Sequence, residues 1–152
     1  KKIINAIGDR INKKHNTKLK YLIGTMIELP RACIIADKIA EHADFISFGT
    51  NDLTQTAFGF SRDDISTFLP QYLQKNILSY DPFSTLDVDG VGKLIDIAVR
   101  KSRSIKPEIK IGICGEHGGD PASIAYFHKM KFNYVSCSPF RIPIAYLSAA
   151  KQ

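Results

Sequence analysis

"YLIGTMIELPRACIIADKIAEHADFISFG", residues 21–49, decides the fold. Its apolar opening, 21–29, reads as a buried strand. Pro30 follows, where a fixed φ and a missing N–H suit the first turn of a helix. Residues 31–43 then carry apolar side chains at helical spacing, and 45–49 return to a short apolar run that ends at Gly49. Both strands are apolar along their whole length and a helix separates them. That pattern belongs to parallel strands covered by helices.

The alternation continues on both sides of this unit. Ile3, Ile4, Ile7 and Ile11 fall on one face of a basic N-terminal helix. A long polar insertion follows Gly49, with short helical pieces around "STFLPQYL" (66–73). An amphipathic helix is expected over 91–105, a third strand over 110–115 and a fourth over 134–138. Between the last two, Asp120 stands as a cap and Pro121 at the first turn of a helix. A closing helix is expected over 143–151. The fold class is therefore α/β, with four parallel strands and their helices. Such a set is either half of an eight-stranded barrel or a small open sheet, and periodicity does not choose between them.

The composition is that of a globular domain. The 152 residues are 44% hydrophobic and 24% charged, which suits one domain with a packed core. No apolar run approaches the ~18–20 residues of a membrane span. The basic start is not followed by an apolar core and a cleavage site, so a secretory signal is not expected. The net charge is +6, with much of the excess in the first twenty residues. No aromatic residue is mixed into that basic stretch before Tyr21, so it reads as a solvated helix face and not as a nucleic-acid surface. Cys33, Cys114 and Cys137 are odd in number and widely spread. They suggest a reducing compartment such as the cytoplasm rather than a disulfide framework.

In parallel α/β architectures chemistry gathers at the carboxyl ends of the strands. Those ends carry Glu28; then Gly49, Thr50, Asn51 and Asp52; then Cys114, Gly115, Glu116 and His117; then Cys137 and Ser138. Glu28 and Asp52, on neighbouring strands, are two carboxylates of the kind that hold Mg²⁺. The alternative is that Glu28 pairs with Arg31 and Asp52 caps a helix near Leu53. The backbone behind Gly49 can face an anion, or Thr50 or Asn51 can simply cap the helix. Arg62 can clamp a phosphate, or pair with Asp63 or Asp64. Cys114, beside glycines that allow close approach, suits a nucleophile or proton donor, and His117 is a candidate to tune it.

"GTMIELPRA", "ISFGTNDLTQTAFGFSRDD", "GICGEHGGDPASI" and "YVSCSPFRIPIA" together resemble the carboxyl-terminal part of the pyruvate, phosphate dikinase family. The motifs occur in family order and the likeness runs from about Leu22 to about Leu147. Phosphoenolpyruvate synthase, an alternative reading, and enzyme I of the sugar phosphotransferase system share the plan. "GEHGGDP" and "SCSPFRIPIA" fit the dikinases better. A non-catalytic assembly segment is the reading from a different class.

The resemblance implies the carboxyl-terminal half of a (β/α)₈ barrel that binds pyruvate and phosphoenolpyruvate. It implies that Glu28 and Asp52 bind Mg²⁺, and that Gly49, Thr50 and Asn51 line the substrate. Arg62 is implied to contact phosphate, and Cys114 to be the acid/base at C3 of the substrate. The implied reaction converts ATP, pyruvate and phosphate to AMP, phosphoenolpyruvate and diphosphate. It needs nucleotide-binding and phosphohistidine domains that this chain does not contain, so the chain alone is not expected to run it. The expected partners are those remaining domains and a second copy, as a homodimer through the barrel domain. Neither nucleic acid nor membrane is expected.

Overall fold

In a computed structural model that describes all of residues 1–152, the expected alternation is present. The elements are α1 (Lys2–His15), β1 (Thr25–Ile27), α2 (Pro30–Ile34), α3 (Ala36–Ala40), β2 (Phe45–Gly49), α4 (Thr50–Phe58) and α5 (Ile65–Gln74). They continue with α6 (Lys93–Ile105), β3 (Lys110–Cys114), α7 (Pro121–Lys129), β4 (Tyr134–Val135) and α8 (Ile142–Ala150). The four strands form one parallel sheet in the order β1-β2-β3-β4. Each strand is the neighbour of the next, with no reversal of order. A doubly wound sheet reverses its order at a switch point, whereas a (β/α) barrel runs in sequence. The architecture is that of a partial (β/α) barrel.

The two faces of the sheet differ. Side chains alternate along a strand and register partners share a face. Ile27, Ile46, Phe48, Ile111 and Ile113 point to the helices, where they join Cys33, Ala36, Ala40, Ile95, Ala98, Val99 and Phe127 in one core. Burial of each Ile or Phe there contributes about 1.5–3 kcal/mol. The opposite face carries Met26, Ser47, Gly112 and Tyr134 in register. Met26 is 45% exposed on it. Gly112 lies directly beneath the Tyr134 ring, where a Cβ has no room.

Several elements differ from expectation. The first strand is three residues long rather than nine, and the fourth is two rather than five. Both are sheet edges, where only one neighbour supplies ladder hydrogen bonds. Residues 31–43 are not one helix: Ile35, at φ −106° and ψ 24°, breaks them into α2 and α3. The β-branched pair Ile34–Ile35 sits at the break and weakens helical preference there. The break keeps Cys33, Ala36 and Ala40 on the buried side. The expected helix 91–105 begins instead with a π-helical turn, Val88–Gly92, capped by Asp87, whose side chain accepts from Gly90 N–H and Val91 N–H. Asp120 caps α7 as expected, accepting from Ser123 N–H at 2.8 Å.

α1 buries none of its residues, and its stripe of Ile3, Ile4, Ile7 and Ile11 is open. Asp44 ties the helix down: it pairs with Lys1 and accepts the N–H of Ile23 at 2.9 Å. No helix is long and apolar enough to cross a membrane.

Candidate active site

The carboxyl ends of β1, β2 and β3 meet on the face that the helices leave open. Gly49 and Cys114 are register partners, and Met26 on β1 and Glu28, one residue past its end, continue the same alternation. Cys114 Sγ lies 3.7 Å from Met26 Sδ and 3.7 Å from the Phe48 carbonyl oxygen. The thiol is partly exposed. Glu28 folds over Gly49: a Cβ built on Gly49 would stand 2.5 Å from Glu28 Oε2. Only a glycine leaves that carboxylate its place.

Gly49 is the N-cap of α4, so neither Thr50 nor Asn51 caps the helix, and neither does Asp52. Asp52 lies in the first turn, where the helix dipole favours a carboxylate, and its side chain is exposed. Neither Glu28 nor Asp52 makes an ion pair, so the pairing of Glu28 with Arg31 does not occur. Two unpaired carboxylates remain, Glu28 one residue past β1 and Asp52 in the first turn of α4.

The β2–α4 turn and the loop behind β3 are joined at two successive residues. Asn51 Oδ1 accepts the N–H of Glu116 at 3.1 Å. Thr50 Oγ1 lies 2.7 Å from His117 Nδ1, and His117 Nε2 lies 2.9 Å from the Pro82 carbonyl oxygen. Gly115 between them has φ 116° and ψ −177°, a conformation that glycine alone adopts readily. A Cβ there would also press on Asn51 Oδ1 and Thr50 Oγ1, at 3.0 and 3.1 Å.

His117 therefore does not tune Cys114. The 3₁₀ turn Glu116–Gly119 carries the ring beneath the loop, where it is fully buried against Thr50 and Pro82. Burial is the main influence on its pKa and lowers it; the Pro82 bond and the charges of Asp120, Asp81 and Glu116 oppose this more weakly. Thr50 is buried as well, with its hydroxyl turned to His117 and not to the open face. Arg62 is exposed between α4 and α5, anchored through its own N–H to Gln55 Oε1 at 3.0 Å. It pairs with neither Asp63 nor Asp64, and no hydrogen bond joins it to the other residues of the site.

Cys33 is buried in the core, where desolvation pushes its thiol up to about 11. Cys137 lies beyond the end of β4 rather than within a strand. Sequence reasoning missed the contact of Met26 with Cys114 and the true partners of His117. The "CGEHGG" run hinted at the latter, since Gly118 and Gly119 pack closely on the Ser136 carbonyl and the Arg141 stem and pull the turn inward.

The family profile described as "PEP-utilising enzyme, PEP-binding domain" (PEP, phosphoenolpyruvate) matches residues 1–152. Pyruvate, phosphate dikinase of Rickettsia conorii is 55% identical over 148 residues, which cover 97% of this chain and 17% of that protein. The chloroplastic pyruvate, phosphate dikinase of Mesembryanthemum crystallinum is 55% identical over 98% of this chain and 16% of its own length. That of Clostridium symbiosum is 54% identical over 99% of this chain and 17% of its own. The chain thus spans about one sixth of the length of these relatives. With its parallel strand order and this match over the whole chain, it belongs to the PEP-utilising enzymes as their PEP-binding domain.

Proposed function

We propose that this chain is the pyruvate- and phosphoenolpyruvate-binding part of a pyruvate, phosphate dikinase, within a longer protein. The observation that carries the reading is the meeting of Glu28, Gly49 and Cys114 on one open face, with the Asn51–Glu116 bond fixing the turn beside them. The nucleotide-binding and phosphohistidine domains of such an enzyme lie outside these residues. The open apolar side chains at the sheet edges and beyond β4, including Phe140 at 93% exposure, support completion of the barrel by further strands and a homodimer contact.

The donor set suits Mg²⁺, because Glu28 and Asp52 offer unpaired carboxylate oxygens and leave other positions to water and substrate. When bound, the ion supplies the positive charge that offsets an enolate oxygen. Glu28 and Asp52 would hold it, and the lack of a side chain at Gly49 keeps Glu28 in place. Asn51 Oδ1 is committed to Glu116 N–H, so the Asn51 NH₂ group is the end free to donate to an anionic oxygen. Cys114 moves the proton at C3: once phosphoenolpyruvate has given up its phosphoryl group, the thiol protonates C3 of the pyruvate enolate left behind, and in the reverse direction the thiolate removes a methyl proton from pyruvate. Arg62, exposed on the α4–α5 turn and free of any ion pair, is the cation that would neutralise the phosphoryl group.

The test is turnover by the full-length protein carrying Cys114→Ala. Loss of acid/base catalysis should lower kcat by ~10²–10⁴-fold, while Mg²⁺-dependent oxalate binding survives. Turnover close to wild type would remove Cys114 from the chemistry. Loss of both oxalate binding and turnover in a folded variant would give it a binding role instead.

A further inference from the structure

We infer that His117 is a positioning residue: its neutral ring clamps the β2–α4 turn to the loop behind β3, and so holds the Asn51 amide and Asp52 in register with Cys114. This rests on the reading of the site proposed above. The Pro82 carbonyl can only accept, so the Nε2 atom of His117, 2.9 Å away, carries the ring proton. Nδ1 is then an acceptor, and the Thr50 hydroxyl, 2.7 Å away, donates to it. The other acceptor near that hydroxyl, the Cys114 carbonyl at 3.4 Å, is far longer.

All three groups are buried, so no water replaces a lost bond without cost. Thr50 is the first residue of α4, and Asn51 and Asp52 follow it directly. Thr50–His117 and Asn51–Glu116 are thus two successive cross-links between the same two segments. Pro82 adds a third segment, the long connection before α6. Nothing in this arrangement brings the ring to a reacting atom. Its effect on catalysis passes through the turn.

The variants His117→Gln, His117→Asn and Thr50→Val in the full-length protein test this. The Gln amide can still donate towards Pro82 but leaves the Thr50 hydroxyl only the longer contact with the Cys114 carbonyl, at 3.4 Å. The Asn carbonyl oxygen takes the place of Nδ1. Thr50→Val removes the hydroxyl and leaves the ring and its Pro82 bond. A displaced reacting geometry costs up to ~10²-fold, so His117→Gln and Thr50→Val should each lower kcat by ~10- to 100-fold. KM for pyruvate should change less, and the double variant should fall no further than the singles. His117→Asn should recover most of kcat, and both limbs of the pH–rate profile should stay in place.

A folded His117→Gln protein with kcat within about twofold of wild type would overturn the proposal, as would His117→Asn as slow as His117→Gln. Loss of a pH limb would give the ring a proton-transfer role and overturn it too. If His117→Gln does not fold, wild-type kcat in Thr50→Val overturns it alone. Cys114→Ala, run in parallel, keeps the two claims apart: full turnover there sinks the reading of the site, whatever His117 does.

Discussion

The Glu28 carboxylate occupies the space that any side chain on Gly49 would fill, since a Cβ there would come within 2.5 Å of Oε2 and 2.9 Å of the Glu28 Cβ. The carboxylate at the end of one strand is placed by the absence of an atom on the next. Gly49→Ala should therefore act on the metal through the displaced Glu28 carboxylate, with a smaller effect on the sheet as the strand ends yield at the Glu28 Cβ. Its φ of −85° is open to alanine, so backbone strain is not the cause. The expected outcome is a fall in Mg²⁺ affinity of ~10-fold or more, the size associated with disturbed ligand placement. Melting temperature should fall modestly, because the strand ends must also give way to the added methyl group. Mg²⁺ titration of the variant by calorimetry in the presence of oxalate checks this, and unchanged affinity would separate Glu28 from the metal.

The three cysteines should differ in reactivity. Cys114 and Cys137 are partly exposed, whereas Cys33 is buried and its thiol is pushed up to about 11. Iodoacetamide should label Cys114 and Cys137 in the native protein and reach Cys33 only after unfolding. Peptide mapping by mass spectrometry reads this directly. Oxalate with Mg²⁺ should slow labelling of Cys114 and leave Cys137 unaffected. Equal protection of both would place the ligand elsewhere.

His117 also predicts a pH dependence of stability. Burial lowers its pKa in the folded state from the ordinary value of 6.5, against the weaker pull of the Pro82 carbonyl, Asp120, Asp81 and Glu116. The unfolded chain then binds the proton more readily than the folded one. The contribution of His117 is whole above about pH 6.5 and declines as the pH falls below it, towards the lower folded-state value. Chemical denaturation between pH 8 and pH 5 should show a loss of stability in this window that is smaller in His117→Asn. An identical slope in that variant would assign the effect to other groups.

The middle of the sheet was legible in the sequence and its margins were not. Residues 45–49 and 110–114 are paired on both sides, so their apolar runs translate directly into β2 and β3. Residues 21–29 look equally strand-like, yet a ladder needs a neighbour and β1 has one on a single side. The Asp120 cap and the Pro30 and Pro121 starts were legible because their causes are local. The partners of His117 were not, because Thr50 is 67 residues away and Pro82 is 35. Spacing carries no record of such contacts. Glu28, Gly49 and Cys114 could be found together because the carboxyl ends of parallel strands converge wherever the sheet forms.

The central claim is that Glu28 and Asp52 hold a metal that in turn holds an enolate-like ligand. Calorimetric titration of oxalate into the full-length protein, with and without Mg²⁺ and beside Asp52→Ala, tests it most directly. The account predicts saturable binding that requires Mg²⁺ and is lost in the folded variant. Binding of equal strength without Mg²⁺, or its survival in Asp52→Ala, would contradict it.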